Sequence, residues 1–136
     1  LKNAVDIEVP FGIYVLINGQ GLQRYVSGGE NNLPASNQTE IQNSFKNTTS
    51  DIITATRSAT ALDVEGEYIA LGDSVNQRVL LFRVADPNNA AESPLEFVKQ
   101  YVYEGTDTIF TDIKELQIHQ NQIYVLDSQR IIRIDI

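Results

Sequence analysis

Two kinds of segment recur along this chain, one alternating and one apolar throughout. Val5, Ile7 and Val9 alternate with Asp6 and Glu8, Leu62 and Val64 flank Asp63, and Leu116 and Ile118 flank Gln117. Period two is the mark of a strand with one packed face. Each alternating segment leads into a run without alternation: Ile13-Tyr14-Val15-Leu16, Tyr68-Ile69-Ala70-Leu71 and Ile123-Tyr124-Val125-Leu126. These runs begin 55 residues apart, from Ile13 to Tyr68 and again from Tyr68 to Ile123. A fixed period of this length signals a repeat architecture. A strand that is apolar at every position has no solvent side and must be covered on both faces. Val79-Leu80-Leu81-Phe82 and Ile131-Ile132 have the same character. The pattern therefore predicts an all-β chain of about three antiparallel sheets, three to four strands each, pressed face to face.

The predicted strands are 5–9, 12–17 and 22–26 in the first repeat. They are 60–64, 68–71, 78–84 and 96–103 in the second, and 115–118, 122–126 and 130–136 in the third. The repeats divide a single domain at about residues 1–56, 57–111 and 112–136. Turn residues separate the strands. Asn18-Gly19-Gln20-Gly21, Asp73-Ser74-Val75-Asn76-Gln77 and Asp127-Ser128-Gln129 join second strands to third. Asn-Gly is a strong hairpin signal, and Asp, Ser and Asn favour turns by bonding nearby backbone groups. Residues 27–50 are polar and break the meander. Within them Thr39-Glu40-Ile41-Gln42 has capping-box spacing and predicts one helical turn, and residues 51–56 are predicted as the outer strand of the first repeat.

Composition narrows the function classes. The chain has 136 residues, 42% hydrophobic and 21% charged, as an ordinary globular domain does. No apolar stretch approaches the length of a membrane helix, so no membrane insertion is predicted. The net charge is −8, and the acidic residues are scattered. Phosphate binding requires a basic stripe, so no nucleic acid partner is predicted. There is no Cys, which removes thiol chemistry and Cys-ligated zinc. The chain begins on Leu1 and contains no Met, which suggests a piece of a longer protein. Asn37-Gln38-Thr39 and Asn47-Thr48-Thr49 fit the glycan acceptor pattern.

The run from Gly66 to Phe82 resembles a repeat of the NHL-type β-propeller family. The family's pattern is a Gly, an apolar strand, Asp-Ser, a short gap, Asn, one residue, Arg, and an apolar strand ending in an aromatic. Here Gly66, Tyr68-Ile69-Ala70-Leu71, Asp73-Ser74, Asn76, Arg78 and Val79-Leu80-Leu81-Phe82 carry it. Ile123 to Ile132 keeps a shortened form with Asp127-Ser128 and Arg130, while Asn18-Gly19-Gln20-Gly21 replaces the Asp and the Arg in the first repeat. The resemblance implies a partial β-propeller of four-stranded blades and a mainly structural role for Asp73, Arg78, Asp127 and Arg130. Three blades do not close such a ring, which takes four to eight. Missing upstream blades, a homodimer closing a six-bladed ring, or an open arc each satisfy this count. The third repeat also resembles propeller-like tails that some bacterial proteins carry behind a metal-dependent Ser/Thr phosphatase domain, whose acidic metal motifs do not occur here.

Catalytic signatures are lacking. His119 is the single histidine, and no partner for it can be named from the sequence. Glu104, Asp107 and Asp112 lack the spacing of a calcium loop. No catalytic residue, metal or cofactor is assigned. In a propeller the second-to-third strand turns gather on one face. The candidate ligand-binding residues are therefore Gln20, Asp73, Asn76, Gln77, Asp127 and Gln129, with parts of the 27–50 loop on the same face. The reading is a non-catalytic module binding a protein or peptide through that face. The alternatives are a glycan-binding module using Tyr25, Tyr101 or Tyr103, and the sensor tail of a phosphatase-type enzyme.

Overall fold

A computed structural model describes residues 3–9, 12–25, 38–39, 45–89 and 93–136. The chain is all-β, with one short α-helix and three sheets of mainly antiparallel strands among the described residues. Sheet 1 is β1 (Ala4–Glu8), β2 (Ile13–Ile17), β3 (Gly21–Tyr25) and the two-residue β4 (Gln38–Thr39), in that order. Sheet 2 contains β6 (Ala61–Glu65), β7 (Tyr68–Asp73), β8 (Arg78–Val84) and β9 (Leu95–Val102). A fifth strand, β5 (Phe45–Lys46), runs parallel to β9 on its outer side, with Phe45 opposite Leu95 and Lys46 opposite Glu96. Sheet 3 is β10 (Ile113–His119), β11 (Gln122–Asp127) and β12 (Arg130–Asp135). No helix among the described residues is long and apolar enough to cross a membrane.

Sheet 2 lies between the other two. Ile69, Leu71, Leu80 and Phe82 form one core with Tyr14, Leu16 and Leu22 of sheet 1. The alternate residues Ala70, Val79 and Leu81 form a second core with Ile113, Leu116, Ile118, Ile123 and Val125 of sheet 3. Strand geometry sends successive side chains to opposite faces, so the unbroken apolar runs of β7 and β8 serve both cores at once. The first core is sealed on its outer side by Phe45 and Phe97, whose rings tilt against Phe82 at centroid distances of 5.4 and 5.7 Å.

The first strands also tie sheet to sheet. The Leu62 N–H donates to Asp6 Oδ2 at 2.9 Å, and the Ile118 N–H donates to Asp63. Each carboxylate thus reaches from one first strand to a backbone amide of the next. Beside them, Thr60 Oγ1 donates to the Ile113 carbonyl at 3.0 Å and the Ile113 N–H donates to Ser74 Oγ at 3.0 Å. Sheet 3 is thereby anchored at the residue where β10 begins.

Four expectations need correction. Residues 51–56 are not a strand: Ser50–Ala55 is a helix, α1, that places Ile52 and Ala55 in the first core. Their spacing of three residues is helical, and the tertiary contact decides it. In β1 the packed face is inverted. Val5, Ile7 and Val9 are 44%, 51% and 65% exposed, while Asp6 reaches sheet 2. Ile131 is 73% exposed, because no sheet covers that face of β12 among the described residues. The 55-residue period also slips by one in structural terms. Ile69 and Leu71 face back toward sheet 1, whereas Tyr14 and Leu16 face forward toward sheet 2. A one-residue slip exchanges the faces of a strand. Sheets 2 and 3 superpose in function at 54 residues, Asp73 onto Asp127. The helical turn predicted near residue 40 lies outside the described residues.

Close approach of sheets 2 and 3 depends on Gly72. A Cβ there would lie 2.7 Å from Ile113 Cγ2. Gly72→Ala should cost about 1–3 kcal/mol by overpacking. Chemical denaturation of Gly72→Ala, Ile113→Ala and the double variant should show a double-variant cost below the sum of the two singles.

Candidate functional site

The turns from second to third strands each sit beside the segment that opens a first strand. The Gly19 N–H donates to the Arg57 carbonyl at 2.9 Å, just ahead of β6. Ser74 meets Ile113 at the start of β10, and Asp127 accepts from the Asp112 N–H at 3.2 Å. The turns thus share one end of the stack. The predicted residues nevertheless divide into two groups. Asp73 and Asp127 are buried, while Gln20, Asn76, Gln77 and Gln129 are exposed.

Asp73 is the hub of its turn. Its Oδ2 accepts from Arg78 Nε and from Asn76 Nδ2, both at 2.8 Å. Its Oδ1 accepts from the Asn76 N–H at 3.3 Å and from Ser58 Oγ at 3.4 Å. The carboxylate is fully buried and the Arg78 side chain is largely buried, so water screens this pair little. Arg78 Nη1 also donates to Gln100 Oε1 at 2.7 Å, which locks the guanidinium against β9. Gln77 completes the turn with φ 53°. Asp127 occupies the same place in sheet 3 with different wiring. Its carboxylate accepts from the N–H groups of Phe110, Asp112 and Ser128 at 3.1, 3.2 and 2.8 Å. Arg130 is exposed and makes no ion pair with it among the described residues, so the second turn pair expected from the sequence is not formed. Backbone amides have taken the arginine's place. Gln20 accepts from Gln23 Nε2 at 3.1 Å in the first turn.

An open concavity of about 520 Å³ lies against the Asp73 turn. Ser50, Asp51, Thr54, Ala55 and Ser58 line one side of it, and Asn76 and Arg78 line the other. Asp51 is exposed, and its carboxyl is held below the usual range by the Thr49 hydroxyl and, more weakly, by Arg78. The guanidinium of Arg78 is committed to Asp73 and Gln100, so Asp51 supplies the uncompensated charge of the concavity. Hydroxyls of Ser50, Thr54 and Ser58 surround it. Sequence reasoning placed Asn76 here, and the 27–50 loop that ends on Ser50, but missed Asp51, Thr54 and Ser58. The missed signal was Ser50-Asp51 ahead of Ile52 and Ala55, polar N-terminal residues before helical spacing.

The opposite end of the stack holds a second concavity of about 480 Å³ lined by Glu65, Glu67, Tyr68, Gln120 and Asn121. His119 Nδ1 is 3.5 Å from Glu65 Oε1 beside it. The first strands concentrate carboxylates between these ends. Burial raises the Glu8 carboxyl above its usual range, reinforced by Asp63, Asp6 and Glu115. Burial likewise raises Asp63, against the opposing effect of the Ile118 N–H. No group of three or more His, Cys, Asp or Glu among the described residues is placed to hold a metal ion. Of the tyrosines, Tyr101 lies under Lys99 Nζ at 5.0 Å and donates to the Asp135 carbonyl at 3.4 Å. Tyr103 is 47% exposed, with its ring tip against Gly105. The side chain of Tyr25 and all of Asn37 lie outside the described residues. Asn47 is exposed, with Nδ2 3.5 Å from Glu96 Oε1.

Compared with known proteins, the chain matches no family model, no curated protein and no solved structure.

The two turns should respond differently to truncation. Asp73→Ala leaves Arg78 and Asn76 without their acceptor and should cost about 3 kcal/mol in denaturant unfolding. Arg130→Ala should change stability by less than about 0.5 kcal/mol. The first-strand carboxylates give a pH signature. A carboxyl raised in the folded state weakens folding where it is charged, and the penalty fades as pH falls through its folded pKa. Glu8→Gln should therefore raise the melting temperature at about pH 7 and leave it unchanged at about pH 3.5, where Glu8 already carries its proton.

Proposed function

We propose that the three sheets are successive blades of a β-propeller and that the chain is a non-catalytic binding module for a basic peptide segment. The observation that carries this reading is the concavity at the turn end, which is open, lined mainly by polar side chains and pre-organised by a buried carboxylate. Rigid turns on a packed β scaffold are where binding residues concentrate. A site whose donors and acceptors are already fixed loses little freedom on binding. Asp51 gives the site its sign, and the net charge of −8 draws a cationic segment toward it. The hydroxyls of Ser50, Thr54 and Ser58 and the amide of Asn76 are suited to the remaining donors of a Lys or Arg side chain. Tyr101 and Tyr103, considered for sugar stacking, do not line this concavity, so the peptide reading is preferred to the glycan one.

Panning a displayed random-peptide library against the protein tests the proposal. Enriched peptides should carry Lys or Arg and bind more weakly as salt rises. Thr54→Arg and Asp51→Lys should each weaken them by at least about tenfold. Gln120→Arg, at the opposite end, should leave affinity unchanged. Recovery of no peptide above background, or of peptides indifferent to Thr54→Arg and Asp51→Lys, overturns it.

A further inference from the structure

The hairpin tips of sheets 2 and 3 meet at the end of the stack opposite the Asp73 turn, and the cleft between them is built differently from the concavity beside α1. Glu65-Gly66-Glu67-Tyr68 forms one wall, where Gly66 turns the chain at φ 59°. The β10–β11 turn forms the other, with φ 51° at Gln120 and 63° at Asn121. Ile118, which is 4% exposed, lies at the back of the cleft. The two walls are tied together. The Ile118 N–H donates to Asp63, and His119 Nδ1 lies 3.5 Å from Glu65 Oε1. The volume of about 480 Å³ is in the range of small-molecule sites.

The polar side chains of this cleft are uncommitted. Beside α1, the side chains of Thr54, Ser58, Asn76 and Arg78 all donate hydrogen bonds within the protein. The side chains of Glu67, Tyr68, Gln120 and Asn121 make none among the described residues, although Glu67 and Tyr68 are half-buried. The two amides each offer donors and an acceptor, the phenol offers both, and the carboxylate accepts. A two-residue hairpin turn with both φ values positive favours Asn-Gly, so the turn itself does not select Gln120. Holding a Gln in the left-handed region strains the backbone, and strain of this kind gathers at ligand clamps. Tyr68 packs against the second core, beside its cross-strand partner Glu65, and adds an aromatic ring to the lining.

We propose that this cleft binds a neutral sugar. A sugar hydroxyl both donates and accepts, which matches a lining of amides, phenol and carboxylate, and the C–H face of a pyranose ring packs on the ring of Tyr68. An ammonium ligand only donates and would leave the amide N–H groups unused. An anionic sugar would be repelled by Glu65 and Glu67, since no Lys or Arg is among the described residues that line the cleft. Arg83, beside Tyr68 across the sheet, is held by Glu96 at 3.0 Å. The inference is independent of the peptide reading, because the Asp51 concavity lies at the other end of the stack.

Titration followed by amide NMR tests it, with the methyl glycosides of glucose, galactose and mannose, glucuronate and putrescine as separate probes. At millimolar concentration at least one methyl glycoside should shift the amide resonances of Gly66, Glu67 and Asn121 and leave those of α1 in place. Glucuronate and putrescine should each bind at least about tenfold more weakly. Gln120→Arg, at an exposed position, and Glu67→Ala should each weaken sugar binding by at least about tenfold, with the remaining amide spectrum unchanged. Gln120→Arg should spare the peptide affinity, and Asp51→Lys should spare the sugar affinity, so the two sites fail separately. Shifts with none of the three glycosides, shifts confined to residues outside the cleft, or shifts indifferent to Gln120→Arg and Glu67→Ala overturn the proposal. Putrescine or glucuronate binding more tightly than every glycoside overturns it as well.

Discussion

Burial of sheet 2 on both faces is the constraint from which the rest of the molecule follows. Ile69, Leu71, Leu80 and Phe82 require sheet 1, and Ala70, Val79 and Leu81 require sheet 3. Neither neighbour is optional, because an isolated sheet of this composition would expose apolar side chains on two sides. Residue size matches the gap on each side. The face toward sheet 3 carries Ala61, Ala70 and Gly72 at its tightest approach, and the large β-branched residues of β10 and β11 fill the space. The face toward sheet 1 carries Leu and Phe, and the aromatic trio of Phe45, Phe82 and Phe97 fills a wider layer.

Carboxylates supply the directionality that apolar packing lacks. Asp6 and Asp63 each bond a single backbone amide across a sheet boundary, which sets the height of one first strand against the next. Asp73 fixes its own turn, and Asp127 ties its turn to the segment that leads into β10, which together hold the loop end rigid. Four acidic side chains are thereby consumed by architecture, in a chain whose charge would suggest a merely solvated surface. Asp51 is different because its charge faces open space beside a framework that those other carboxylates have made stiff.

Much of this was legible in the sequence, and the illegible parts share a cause. Unbroken apolar runs announced a doubly covered sheet, and the Asp, Ser and Asn residues announced the turns. Alternation in β1 showed that two faces differ, yet it could not say which face has a neighbour. Asp6 faces sheet 2 because an amide there needs an acceptor, and Ile7 is left outside. The same ambiguity misplaced Ile131, whose apolar character matches that of Val79 although no sheet covers it among the described residues. The period of 55 reported similar composition, while pairing follows a spacing one residue shorter between sheets 2 and 3. At the turn end, Asp73 and Asn76 were recognisable from local chemistry. Asp51, Thr54 and Ser58 were not, since β-branched Ile52 and Ile53 read as strand until the first core makes them a helix.

The brevity of β5 has a consequence at the rim of sheet 2. It pairs only with Leu95 and Glu96, so from residue 97 onward the outer backbone of β9 has no strand beside it among the described residues. Val98 and Val102 are exposed along that stretch. An unpaired, β-prone border of this kind is a template on which stray extended segments nucleate fibrous aggregates. Lys99, held over the Tyr101 ring, sits in the middle of it and acts as a charged gatekeeper against such growth.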